Sequence, residues 1–283
     1  MSFIRRISQT IRHLPGLEKA DPLWRMLRKP YHRLLNRGGR GVKVMVGGTA
    51  AVWIPAEFAG GNWERYEPEA VAIFSAWVHR HPGGLVLDLG SSIGLFSAVA
   101  LFADPSVEVV AFDSDLSSLA AARRICRHAP GSRLRLVHGL LAQAPTDNSS
   151  LASAVITTEE ALLRTGARGD AGTTRYICIT DPDAHSVPRR RLDDLLAASF
   201  VERRSMLIKC DVEGAELLVL QGAEKLLRRA RPDLLLSVHP LALPTYGHSK
   251  TEVEAFLENL GYEIRCIAVD HEEHWWCVIK CLE

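Results

Sequence analysis

Four charged side chains crowd one short stretch of the sequence. Lys209, Asp211, Glu213 and Glu216 lie within eight positions around Gly214, between the apolar runs MLI and LLVL. Three kinds of chemistry suit such a group. A buried lysine can tune a neighbouring acid as a general base. Two carboxylates can hold a hard divalent cation through oxygen. Acids in a first helical turn can simply complement the helix dipole. Strand alternation puts Lys209, Asp211 and Glu213 on one side while the strand continues, where charge is costly unless paired or used. Lys209 and Asp211 therefore read as a buried pair at a site, or as a base and its tuner. Glu213 and Glu216 read as the first turn of a helix over 214–229 that ends at Arg228 and Arg229. No third carboxylate stands at a spacing suited to a cation, so no metal is expected. His271 and His274 form an H-x-x-H pair, but they fall in a turn between the last two strands, where exposed histidines are ordinary.

A second candidate is VLDLGSSIG, which contributes Asp88, Gly90, Ser91, Ser92 and Gly94. It reads as strand, glycine turn, helix. A dinucleotide fold calls for G-x-G-x-x-G so that the backbone can approach a pyrophosphate. Here there are two glycines, and Asp88 at the strand end would repel a phosphate. S-adenosylmethionine carries a sulfonium and an ammonium and no phosphate, so an acid suits it. Asp113 ends the next strand, 25 residues past Asp88, where a carboxylate can take both ribose hydroxyls of a nucleoside. Asp115 then caps the following helix. Ser114 beside Asp113, Glu67 just before Pro68, and Asp211 complete the cofactor-binding candidates.

The elements that must position these residues follow from periodicity. VKVMVGGTAAVWI alternates about a Gly-Gly turn and predicts a hairpin over 42–54. Pro68 suits the first turn of a helix that buries Val71, Phe74 and Val78. From residue 85 short apolar runs alternate with helical stretches: LVLDLG, VEVVAFD, LRLVHGL, LIKCDV and LLLSVHP. Ser249 and Glu252 form a capping box for a helix closed by Gly261. EIRCIAV and WWCVIKC then follow across a turn alone. The pattern predicts an α/β, Rossmann-like, mostly parallel doubly wound sheet that ends in an antiparallel hairpin, the arrangement of class I methyltransferases. Residues 142–190 break the rhythm, being rich in Ala, Ser, Thr, Gly and Asp, with strand-like pieces such as SAVIT and RYICI. They lie beside the edge where such sheets bind ligands.

With these motifs followed by IKCDVEGAELLVLQGA, the chain resembles the FkbM family of S-adenosylmethionine-dependent methyltransferases. The likeness rests on the acid-x-Gly turn, the acid after the second strand, and the LDDLL stretch Leu192–Leu196. It rests further on Lys209, Asp211, Val212, Glu213, Gly214, Ala215 and Glu216, then Leu220, Gly222 and Ala223. It covers roughly residues 65–265. The family commonly shows Glu-x-His after the fifth strand, where this chain has Ser237 and His239. The resemblance implies methyl transfer to oxygen on secondary metabolites, polyketides or glycan sugars. His239, Asp211 and Lys209 are the catalytic candidates, with His239 the first choice of base because imidazole titrates near neutrality.

The chain has 283 residues, 47% of them hydrophobic and 24% charged, as in a soluble globular protein. Its six cysteines form no CxxC pair and read as reduced thiols of a cytoplasmic protein. No run is long enough to span a bilayer, and the N-terminus lacks the apolar core of a signal peptide. Charge is uneven. Residues 1–43 carry eleven Lys/Arg against Glu18 and Asp21, or +9, which leaves −8 for the rest. Residues 1–58 are thus read as a basic amphipathic arm with a hairpin, and 59–283 as the methyltransferase domain. Such an arm can lie on an anionic membrane face or pack on the body. The expected partner is a small-molecule or glycan acceptor, with no nucleic acid. The alternatives are a nucleic-acid methyltransferase using the arm and a nicotinamide oxidoreductase.

Overall fold

The computed structural model describes residues 30, 32–36, 41–131, 133–166, 169, 182–196 and 205–280. Readings for the arm before residue 41, for RYICI, and for Cys178 and Cys281 lie mostly or wholly outside these residues.

Strands β1 (Val42–Val46) and β2 (Ala50–Ile54) form the expected antiparallel hairpin. Gly47 and Gly48 turn it at positive φ, which glycine adopts without a Cβ clash. The buried face of the hairpin packs in one core cluster with helices α1 (Pro68–Arg80) and α2 (Leu95–Ala103). Within α1, Ala70, Val71, Phe74, Trp77 and Val78 are buried at helical spacing. The Trp77 indole Nε1 donates to Asp233 Oδ2 at 2.7 Å and ties the helix to the sheet. Truncating that ring to Ala would cost about 3–5 kcal/mol.

The main sheet uses β3 (Leu85–Leu89), β4 (Glu108–Asp113) and β5 (Arg133–His138), with helix α3 (Leu116–Cys126) after β4. A short pair, β6 (Leu140–Leu141) and β7 (Arg189–Arg190), brackets helix α4 (Leu151–Thr165), and helix α5 (Leu192–Leu195) follows. Then come β8 (Met206–Asp211), α6 (Glu216–Gln221), α7 (Glu224–Ala230), β9 (Asp233–Val238), α8 (Lys250–Asn259), β10 (Tyr262–Val269) and β11 (Glu273–Ile279). The order across the seven-stranded sheet is β10-β11-β9-β8-β3-β4-β5. Strands β5, β4, β3, β8 and β9 run parallel, and β11 inserts antiparallel between β9 and β10. The strand order changes direction at β3, so the carboxyl ends of β3 and β8 open onto a crevice suited to a ligand. The fold is the class I methyltransferase arrangement, as expected.

Three local expectations are corrected. SAVIT is helical within α4, where Leu151, Ala154, Thr158 and Leu162 are buried and Ser150 caps the amino end; its small and β-branched residues mimic a strand in isolation. The single helix over 214–229 is two, α6 and α7. Gly222 lies at the break, where a Cβ would come within 2.5 Å of the Ala142 carbonyl oxygen. His274 is not an exposed turn residue: it begins the second position of β11 and is 1% exposed, while His271 stays exposed in the turn. Among the described cysteines, Cys126, Cys210, Cys266 and Cys277 are free, and all but Cys266 are buried. The capping box of Ser249 and Glu252 is present. No helix among the described residues is long and apolar enough to cross a membrane.

Candidate active site

Close packing of the β3 and β8 ends builds the floor of the site. A Cβ on Gly90 would lie 1.7 Å from the Asp211 carbonyl oxygen, and Gly90 has φ +75°. The turn after β3 is tied to β4, since Gly90 N and Ser91 N both donate to the Phe112 carbonyl at 3.0 and 2.9 Å. Ser92 takes a positive φ of 48°, uncommon for a residue with a Cβ. Its N–H donates to Asp113 Oδ2 at 2.7 Å, and Asp115 N donates to Asp113 Oδ1 at 2.8 Å. Asp115 in turn caps α3 through Ser117 and Ser118. Burial pushes the Asp113 carboxyl up to about 7, against these two N–H donors.

Asp88 is 1% exposed and accepts hydrogen bonds from the Ser97 N–H and hydroxyl at the start of α2. Burial raises its pKa, while Ser97 and the Lys209 ammonium favour its charge. Lys209, 2% exposed, places Nζ 2.7 Å from Asp211 Oδ2 and 4.9 Å from the centre of the Phe96 ring. Burial opposes the ammonium charge, but Asp211, Glu67 and Asp88 outweigh it and raise the pKa. The buried Lys209–Asp211 pair expected from strand alternation is present.

A cavity of about 570 Å³ opens here. One wall holds Asp88, Gly90, Ser91, Ser92, Lys209 and Asp211, all candidates from the sequence, together with Glu213. The facing wall was not foreseen: Glu57, Phe58, Trp63, Tyr66 and Phe96 come from the segment between β2 and α1 and from α2. Trp63 is fixed by a 2.7 Å bond from its Nε1 to the Phe58 carbonyl, and Glu57 pairs with Arg124. Burial, then the Glu67 charge, push the Tyr66 phenol well above its usual range. The aromatic-polar string FAGGNWERYE is the signal that could have marked this wall.

Other candidates stand behind the cavity. Gly94 begins α2 at φ +77°, where a Cβ would meet the Ala122 Cβ at 2.7 Å, so its role is helix packing. The Ser114 carbonyl accepts from His138 Nε2 at 2.9 Å. Glu67 precedes Pro68 at φ 39° with its side chain buried, 3.7 Å from His274 Nδ1. Asp113 acts on the cavity through Ser92.

The charged stretch after β8 turns sharply through Glu213 at φ 54° and Gly214 at φ 100°. A Cβ on Gly214 would meet the Ala242 backbone at 2.7 Å, so the close approach requires glycine. Glu216 is more than a helix-dipole partner. It is fully buried, and its Oε1 accepts from Gly214 N at 2.9 Å and from His239 Nδ1 at 2.8 Å. The other ring nitrogen, Nε2, is surrounded by Glu272 Oε2 at 2.6 Å, Glu213 Oε2 at 3.4 Å and Asp211 Oδ1 at 3.7 Å. Burial alone would lower this imidazole, but Glu216, Glu272 and Asp211 raise it to about 10. This setting favours positive charge at the ring, so His239 is part of a charge network and not an isolated imidazole. Glu272 brings its carboxylate to His239 from the β10–β11 turn, while the Ser237 hydroxyl lies 3.3 Å from His274 Nδ1.

The Methyltransferase FkbM domain profile matches residues 90–264 of the chain. No curated protein matches it in sequence. It is similar to the methyltransferase FkbM from Methylobacillus flagellatus KT, at 16% identity and a TM-score of 0.44, over 74% of this chain and 52% of that one. The chain thus spans about half the length of the Methylobacillus protein. It is also similar to precorrin-6y C5,15-methyltransferase from Geobacter metallireducens GS-15, at 13% identity and a TM-score of 0.44, over 81% of this chain and 95% of that one. A third similar structure is a SAM-dependent methyltransferase from Geobacter sulfurreducens bound to S-adenosyl-L-homocysteine, at 16% identity and a TM-score of 0.36, over 70% and 65%. The family profile covers more than half of the sequence, and the chain belongs to the FkbM methyltransferase family, with S-adenosylmethionine as its cofactor.

Proposed function

We propose that the protein transfers a methyl group from S-adenosylmethionine to a hydroxyl oxygen of a sugar, glycan or secondary metabolite. The observation that carries this reading is the carboxylate wall of Asp211 and Glu213 facing the cavity beside the glycine turn. A hydroxyl is a weak nucleophile that must give up a proton, and a positioned carboxylate can take it. An amine or a ring nitrogen with a free lone pair has less need of such a wall.

The residues present fit the cofactor. Ser91 Oγ is buried in the cavity wall with no partner among the described residues, so it is free for a ligand. Asp88 offers negative charge to a cationic methionine portion, and Asp113, behind the wall, orders the Ser92 turn. The bound cofactor supplies an electrophilic methyl: the new C–O bond forms, the C–S electron pair stays on sulfur as a neutral thioether, and the hydroxyl proton is released. Lys209 holds Asp211 Oδ2, which leaves Oδ1 to orient the acceptor and receive that proton. Phe58, Trp63 and Tyr66 exclude water and offer aromatic faces to the apolar side of a sugar ring. Positioning then does much of the remaining work.

Trials of labelled methyl transfer to a panel of sugars, glycans and hydroxylated metabolites test the reading. Label in an alkali-stable ether supports it. Label in RNA, or NAD binding in place of S-adenosylmethionine by calorimetry, replaces it with one of the two alternatives.

A further inference from the structure

The carboxylates around His239 outnumber the positive charge available to them. Asp211, Glu213, Glu216 and Glu272 all lie within 3.7 Å of the ring nitrogens. Lys209 and a protonated ring offset at most two of these four charges. Partial burial makes such an excess costly.

Geometry shows what could fill it. Glu216 Oε1 accepts from Nδ1, which fixes the ring and turns Nε2 toward Asp211, Glu213 and Glu272. A ligating histidine characteristically gives its other N–H to a carboxylate in this way. Nε2 itself is buried and makes no aligned hydrogen bond, despite three carboxylates around it. Ligand atoms of Asp211, His239 and Glu272 all lie within 4.8 Å of one another. Neighbouring and opposite ligands of a six-coordinate divalent ion are separated by about 3 to 4 Å, so these three can converge on one ion after small side-chain shifts. Each comes from a different element: the end of β8, the residue after β9, and the β10–β11 turn. The Nε2 atom of His274, 3.5 Å from Glu272 Oε1, and one oxygen of Glu216 are both buried without an aligned hydrogen bond among the described residues and border the same cluster.

We propose that Asp211, His239 and Glu272 bind a divalent cation of the Mn²⁺ class at the rim of the cofactor cavity. One imidazole with carboxylates is a mixed N/O donor set that suits Mn²⁺ better than soft ions. Asp211 and Glu213 line the cavity, so an ion there reaches an acceptor oxygen. Its role in catalysis rests on the O-methyltransfer reading above: the ion lowers the pKa of the acceptor hydroxyl. With Asp211 occupied, the hydroxyl proton passes to Glu213 as the oxygen gains the methyl and sulfur keeps the C–S pair.

Mn²⁺ binding to the full chain, freed of metal by chelation and followed by electron paramagnetic resonance, tests the site without any acceptor. One saturable Mn²⁺ per chain is expected, weakened at least about tenfold in Glu272→Gln and about 10- to 100-fold in Glu216→Gln. Wild-type thermal stability should rise with Mn²⁺, a readout that needs no variant. Absence of saturable Mn²⁺ binding to the folded wild type overturns the proposal, as does undiminished binding in a folded Glu272→Gln. Mn²⁺ binding without methyl transfer to oxygen would leave the site standing and remove its catalytic role. Full methyl transfer to oxygen by chelated protein that binds no Mn²⁺ would remove the site and leave the O-methyltransfer reading standing.

Discussion

The two halves of the site are built differently. On the β3–β4 side, the glycine turn is held almost wholly by its neighbours: Ser92 N by Asp113, Asp88 by Ser97, Gly90 and Ser91 by Phe112. On the β8–β9 side, four carboxylates converge on one imidazole, and buried atoms of Glu67, Glu216, His239 and His274 make no aligned hydrogen bond among the described residues. The first half is preorganised by its own backbone. The second half is charge-loaded and poised for something added from outside, whether a proton, an acceptor or an ion. Cofactor binding and chemistry should therefore separate by mutation.

The largest expected effect lies on the charge-loaded side. Asp211→Asn should lower the methyl-transfer rate by about 10²–10⁴-fold while S-adenosylmethionine affinity by calorimetry changes little. A parallel collapse of cofactor affinity would merge the two halves. Next is Gly90→Ala, whose Cβ would strike the Asp211 carbonyl and strain a positive-φ turn. It should destabilise the fold by about 3 kcal/mol in urea denaturation, because the glycine turn is a structural joint as well as a ligand site. An unchanged denaturation midpoint would show that the strands part freely.

How legible each half is in the sequence follows from the same contrast. Asp88, Gly90, Ser91, Ser92 and Asp113 sit on two adjacent strand ends, so local spacing reveals them. The Lys209–Asp211 pair is legible because alternation along one strand places both on one side. Glu272 and His274 are not, because only the insertion of β11 beside β9 brings them to His239 and Ser237. Helical spacing gave Glu216 a dipole role, and nothing local shows that its carboxylate faces a ring 23 residues on. The parallel order, the terminal hairpin and the capping box are all visible in periodicity. The α4 helix is not, since Ala, Ser and Thr carry weak patterning, and its burial is decided by what it packs on.

A pH experiment sharpens the preorganised half. With the Asp113 carboxyl raised to about 7, it is mostly protonated at pH 6 and a poorer acceptor for the Ser92 N–H that orders the cavity wall. S-adenosylmethionine affinity should rise as pH increases through about 7, and Asp113→Asn should bind about tenfold more weakly with the inflection lost. The stability effect runs the other way. The unfolded chain releases this proton first, near the ordinary carboxylate range, so this group's contribution to stability declines as pH rises from about 4 to about 7. The smallest effect is a control at a residue that lines neither half: Ser249→Ala removes the capping box of α8 and should cost about 1 kcal/mol with unaltered turnover.

The most direct test of the central claim is the chemical position of a methyl group transferred from labelled S-adenosylmethionine. The wild type should place it on an acceptor oxygen as an alkali-stable ether, and Asp211→Asn, with cofactor still bound, should not. Label on nitrogen or carbon, or equal ether formation by Asp211→Asn, would contradict the account.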